Sequence, residues 1–253
     1  MKNIPYTTAE IENYFSKNRI SWSQFYKSEK LVISGLGLTD QHTILDVGCG
    51  CGGLGLALKD QFGVVNYVGV EINQQAATTA KYLNPLAEVY VGDFLDVSKG
   101  ALSNRTFGVV FSLSCFDWNV QFSEMLNVAW SHVSHGGCLV VTLRLVNGSS
   151  CDDLNRSYQY INYDGVKEGE RAAYVVLNAN DLFTELQKLN PLKISAYGYF
   201  GPPSSTAVTP YEKICFCAIA IEKRQNLNLS DIKLSLDLPE EILGAIDAFS
   251  RAK

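Results

Sequence analysis

The densest chemistry in this chain lies in Thr43–Leu58, TILDVGCGCGGLGLAL. A β-branched, apolar run ends at Asp46, and Gly48, Gly50 and Gly52 follow before a helical pattern resumes. Glycine is needed where the backbone turns sharply or a ligand approaches it closely. Glycine-rich turns of this kind often hold phosphate at a helix N-terminus. The acid changes that expectation, because a carboxylate at the mouth of the turn repels a pyrophosphate and favours a cationic or hydroxyl-rich ligand. Asp117 follows a later apolar run, where it can serve as a general base or substrate anchor, or simply cap a loop. Trp118 and Asn119 beside it are candidates for shaping a substrate pocket. Arg144 is a candidate for an anionic substrate group or for an ordinary ion pair. Tyr158, Tyr160 and Tyr163 read either as substrate contacts, Tyr160 foremost, or as one face of a small sheet.

The elements that position these residues alternate between two periodicities. Strands are expected at Thr43–Asp46, Tyr67–Glu71, Glu88–Val91, Val109–Leu113, Cys138–Leu145, Lys193–Phe200 and Ile214–Ile221, with helices at Gly53–Lys59, Gln74–Leu83, Phe122–Val133 and Asp181–Leu189. Gly136-Gly137 reads as the stop of the third of these helices. The alternation predicts an α/β fold, a doubly wound, mostly parallel seven-stranded sheet. The stretch Gly201–Lys213, with three prolines, reads as a loop rather than a crossover helix, so the last strand is expected to run antiparallel. Residues 1–40 form a helical cap in this reading, with a capping box at Thr7 and Glu10. Its aromatics, Trp22 and Tyr26 among them, either pack the core or cover a site. Residues 41–224 are the main domain, 147–178 an inserted hairpin, and 225–253 a polar tail with a short helix after Pro239.

The glycine segment resembles motif I of the class I S-adenosylmethionine-dependent methyltransferases. YVGVE, ending at Glu71, VYVGDFLD around Asp93, FGVVFSLSCFDW and LNVAWSHVSHGGCLVVTLRL are similar to the motifs that follow it, in the same order. The similarity spans roughly residues 40–222. It implies a Rossmann-like methyltransferase fold and S-adenosylmethionine as cofactor, held by Asp46, Gly48, Cys49, Gly50, Gly52, Glu71, Ile72, Asp93, Phe94 and Ser112. Glu71 would take the ribose hydroxyls, and Asp93 with Phe94 the adenine. Asp117 is the catalytic candidate, and Trp22, Tyr26, Trp118, Asn119 and Tyr160 are the substrate candidates. The reaction implied is in-line methyl transfer to oxygen or nitrogen of a small molecule. Protein methylation, a non-catalytic cofactor-binding module and a nicotinamide oxidoreductase remain as alternatives.

The rest of the sequence narrows the field. A net charge of −5 gives no electrostatic footprint for nucleic acid or an anionic membrane. No Asn-Pro-Pro-Tyr, Asp-Pro-Pro-Tyr or Pro-Cys follows the fourth strand, so the motifs of nucleic-acid base methylases are missing. The longest apolar runs fall short of the ~18–20 residues that span a bilayer, and MKNIPYTTAE has no apolar signal core, so a cytoplasmic protein is expected. Seven cysteines without metal-like spacing fit a reducing compartment and predict no metal. His42, His132 and His135 fall at the amino ends of strands, away from the end where such sheets bind ligands.

Overall fold

The computed structural model describes residues 7–162, 164–225 and 231–246. Twelve strands are found among them: β1 (Thr43–Val47), β2 (Asn66–Glu71), β3 (Glu88–Val91), β4 (Phe107–Ser112), β5 (Val133–Val146), β6 (Tyr158–Tyr160), β7 (Arg171–Ala173), β8 (Leu177–Asn178), β9 (Lys193–Gly201), β10 (Ala207–Val208), β11 (Ile214–Glu222) and β12 (Lys233–Asp237). The helices are α1 (Glu10–Phe15), α2 (Lys27–Ser34), α3 (Gly53–Phe62), α4 (Gln74–Leu83), α5 (Phe94–Lys99), α6 (Phe122–Ser131), α7 (Ala179–Lys188) and α8 (Glu240–Leu243). The main sheet runs β12-β9-β11-β5-β4-β1-β2-β3, and β8 extends the far end of β5. β11 is antiparallel to both neighbours, and the other pairings are parallel.

The seven expected strands are all present, so the α/β fold class stands, but the sheet has nine strands. β12 comes from the stretch read as a polar tail. Its KLSLD alternates only two leucines, too faint a pattern to stand out, yet Leu236 and the following Leu238 pack on the core. β8 is two residues long.

Side-chain alternation divides the sheet into two apolar layers. Leu45, Val68, Val110 and Leu139 face one side with Leu95, Met125, Leu126, Phe183 and Leu186 from α5, α6 and α7. Ile44, Tyr67, Val109 and Val140 face the other with Ile33, Leu58, Ala77 and Ala80 from α2, α3 and α4. Burying both faces is what a parallel sheet requires.

Three local expectations are corrected. α6 stops at Ser131, and Gly136-Gly137 lies inside β5 rather than ending the helix. A Cβ on Gly137 would sit 2.6 Å from the Gly108 carbonyl oxygen, so this glycine permits close strand contact at the β4–β5 irregularity. The capping box at Thr7 does not form, because the Thr7 amide and hydroxyl bond Glu170 instead, and Ala9 precedes α1. Finally, Gly201–Lys213 contributes β10, which pairs with β6; β6 pairs in turn with β7, and the three make a small second sheet.

Candidate active site

Parallel strands deliver β1, β2 and β4 to one edge, and their carboxyl ends open onto a cavity of about 150 Å³. Asp46, Gly48, Cys49, Gly50, Glu71, Ile72 and Phe94 line it, roofed by Ile11, Phe15, Asn18 and Arg19. The turn after β1 is tightly specified. Gly48 has φ +75°, and a Cβ there would lie 2.5 Å from Cys115 Sγ. At Gly53 a Cβ would lie 2.1 Å from the Arg19 carbonyl oxygen, so the roof descends onto the start of α3 only because no side chain intervenes.

Glu71 braces this turn. Its carboxylate accepts from the Gly50 and Asn73 amides, each at 2.8 Å. Burial pushes its pKa up, and the Asn73, Gly50 and Ile72 amides pull it back. Asp46 is also buried and accepts a 2.6 Å hydrogen bond from the Tyr67 hydroxyl. Burial raises its pKa to about 7, against the opposing influence of Tyr67 and Arg19. Two buried carboxylates thus face one cavity, whereas the cation on its wall, Arg19, is paired with Glu29 at 2.8 Å. That donor set suits a ligand carrying positive charge and hydroxyls, and it is hostile to a bis-phosphate.

A larger cavity of about 600 Å³ adjoins the first and shares Phe15, Arg19, Ser114 and Trp118 with it. Asp117 lies here, fully buried, with its Oδ2 3.3 Å from Arg144 Nε. Arg144 Nη1 also donates to the Asp117 carbonyl at 2.8 Å, and its guanidinium stacks 3.7 Å above the Tyr174 ring. Asp117 Oδ1 has no hydrogen-bond partner. Burial pushes the Asp117 carboxyl up, while Arg144 holds it down. Of the two roles open to Arg144, the structure shows the ion pair.

Residues 45–139 match a family described as a methyltransferase domain. Residues 45–139 therefore carry a methyltransferase domain. Solved structures of the same fold include the N-terminal domain of EvdMO1 with S-adenosylhomocysteine bound, at 15% identity over 77% of this chain and 79% of that one, with a TM-score of 0.54. A methyltransferase from Thiobacillus denitrificans in complex with S-adenosylhomocysteine is 12% identical over 88% of this chain and all of its own (100%), with a TM-score of 0.54. Phosphoethanolamine N-methyltransferase 2 of Haemonchus contortus, in complex with S-adenosylmethionine, is 14% identical over 81% of this chain and 53% of its own, with a TM-score of 0.55. No curated protein matches the chain.

Within this methyltransferase the cavities gather most of the residues the sequence singled out. Asp46, Gly48, Cys49, Gly50, Glu71, Ile72 and Phe94 line the smaller cavity with Trp118 and Asn119, and Asp117, Trp118 and Tyr26 line the larger. Others stand outside both linings. Gly52 abuts Ala80, Asp93 caps α5 by accepting from the Leu95 amide at 2.9 Å, and Ser112 is wholly buried. Trp22 packs against Phe62 and Phe25, and Tyr160 meets Tyr158 edge to face in the small sheet. Tyr163 lies outside the described residues. The three histidines are occupied at the opposite end of the sheet, by Thr39, the Arg105 carbonyl and the Arg224 carbonyl.

The sequence reading missed Phe15, Arg19, Tyr67, Tyr174, Gln159 and Thr206. All but Tyr67 come from segments far from the motifs, and Tyr67 reads as an ordinary strand aromatic. Among the described residues, no three His, Cys, Asp or Glu side chains are grouped as metal ligands, and no helix is long and apolar enough to cross a membrane.

Proposed function

We propose that this methyltransferase transfers a methyl group to an uncharged, hydroxylated small molecule held in the larger cavity, with S-adenosylmethionine in the smaller one. The observation that carries this reading is the pair of cavities sharing a wall at Phe15, Arg19, Ser114 and Trp118. The donor set of the smaller cavity fits the cofactor: a glycine cradle that a Cβ would fill, and two buried acids able to face an ammonium and vicinal hydroxyls. When bound, the cofactor supplies an electrophilic methyl on a sulfonium.

The chain's own residues then do three things. Glu71 fixes the turn through the Gly50 and Asn73 amides, so the cradle is preorganised before ligand arrives. The roof of α1 and Arg19 overhangs the smaller cavity, and the shielding from water it would give a bound ligand strengthens electrostatic contacts there. In the larger cavity the charged groups are already paired, Arg19 with Glu29 and Arg144 with Asp117, leaving no surplus charge to attract an ionic acceptor. The remaining lining offers an aromatic side chain at Trp118, and hydrogen-bonding groups at Gln159, Ser204 and Thr206. An acceptor hydroxyl donating to Asp117 Oδ1 satisfies that orphaned atom and places its proton on a base whose pKa burial has raised.

The test combines isothermal titration with S-adenosylmethionine and transfer of a labelled methyl group from it into a cell extract resolved by ion exchange. The expected outcome is cofactor binding, with label in the uncharged low-mass fraction. Asp117→Asn should abolish transfer and preserve cofactor affinity. Label confined to protein, or to a charged small molecule, refutes the acceptor assignment.

A further inference from the structure

Tyr67 occupies an unusual place beside the cofactor cavity. It sits on β2 four residues before Glu71, fully buried, with its ring packed where a Cβ on Gly55 would come within 3.0 Å. Its hydroxyl is the one hydrogen-bond partner of the Asp46 carboxylate among the described residues. The other ionisable groups facing Asp46 come from every element around it: Cys49 in the glycine turn, Glu71 at the tip of β2, Cys115 beyond β4 and Arg19 in the roof. Arg19 is committed to Glu29, and Glu71 to the turn amides. Tyr67 is therefore the direct contact that sets how Asp46 points, and its hydrogen bond is the largest influence opposing the rise that burial imposes on the Asp46 pKa.

We propose that Tyr67 is a positioning residue for the methyl donor, fixing Asp46 as an oriented carboxylate that receives the donor's α-ammonium. This rests on the S-adenosylmethionine reading above. The sign follows from burial, which raises the Asp46 pKa to about 7, and from the Tyr67 hydrogen bond, which lowers it. An ammonium selects the ionised acid, so affinity rises with pH about tenfold per unit below that pKa and levels off above it. A separate fall at alkaline pH belongs to the ligand's own α-amino group.

The probe is S-adenosylhomocysteine, which carries the same α-ammonium without a reactive methyl. Its affinity is measured by isothermal titration from pH 5.5 to 9 for the wild type, Tyr67→Phe and Asp46→Asn. Tyr67→Phe keeps the ring and its packing, and circular dichroism checks the fold. We expect its acid limb to move up by about one pH unit, with binding about tenfold weaker at pH 6 and nearly equal to wild type above pH 8.5. Asp46→Asn should lose the acid limb altogether, which keeps the proposal falsifiable if Tyr67→Phe does not fold. An equal loss at every pH in Tyr67→Phe, an unmoved limb, or an acid limb surviving in Asp46→Asn overturns the proposal. A wild-type protein that ignores the probe at every pH overturns the donor reading itself, a result distinct from any of these.

Discussion

Replacing Arg144 by Met isolates the role of the buried pair beneath the larger cavity. Methionine keeps an apolar stem of similar length and removes three contacts at once: the 3.3 Å approach to Asp117 Oδ2, the 2.8 Å hydrogen bond to the Asp117 carbonyl, and the stack on Tyr174 at 3.7 Å. Both side chains are only 6% exposed, so the stranded carboxylate has no water to turn to. Removing one partner of such a pair costs about 3–5 kcal/mol, against about 0–1 kcal/mol for a solvated one. For a chain of this length that lowers the melting temperature by about 6–20 °C.

The cost depends on pH. Burial has already raised the Asp117 pKa, and Arg144 is the largest influence opposing it, so the variant's carboxyl moves higher still. A group with a raised folded-state pKa stabilises the fold while protonated and withdraws that support as pH rises through the folded value. The penalty should therefore be larger at pH 8 than at pH 5 and shrink towards the ordinary carboxyl value of about 4. Urea unfolding of Arg144→Met, Asp117→Asn and the double variant at pH 5 and pH 8 measures this. The double variant should lose less than the sum of the singles, because it strands no charge. A pH-independent cost, or strict additivity, refutes the claim that burial and pairing govern this site.

Three further outcomes follow from the same geometry. Glu71→Ala frees the Gly50 and Asn73 amides and should weaken S-adenosylmethionine binding at least about tenfold by isothermal titration; unchanged affinity removes Glu71 from the site. Gly53→Ala puts a methyl 2.1 Å from the Arg19 carbonyl position, so the roof should lift and cofactor affinity fall while far-ultraviolet circular dichroism stays that of the wild type. Glu170→Ala unfastens Thr7 and Thr8 at the end of α1; with this clasp at the surface, stability should change by less than about 1 kcal/mol. Cofactor release by stopped flow and amide exchange across α1 should both quicken in that variant, and no change in either means the clasp does not hold the roof.

The order of elements and the glycine turn after β1 were legible in the sequence because their signals are local. Asp46, Gly48 and Gly50 announce a turn by residue type alone, and period-two and period-3.6 patterns place the strands and helices on either side of it. Topology then put Glu71 beside that turn and the histidines at the wrong end, since side-by-side parallel strands bring their carboxyl ends to one edge. Other features depend on partners distant along the chain. Thr7 looks like a helix cap until Glu170, 163 residues away, takes its hydroxyl. Asp117 reads as a base, an anchor or a capping loop acid until Arg144 pairs with it from β5, and Tyr67 as a strand aromatic until folding sets its hydroxyl against Asp46. β12 is the same lesson in the sheet, because two leucines become a strand only when β9 offers an open edge. Residue type and spacing pointed to Asp46, Glu71 and Asp117, which line the cavities, and equally to Asp93, Ser112, Trp22 and Tyr160, which do not. Only the packed fold decided which of them are paired, which are buried, and therefore which carry charge.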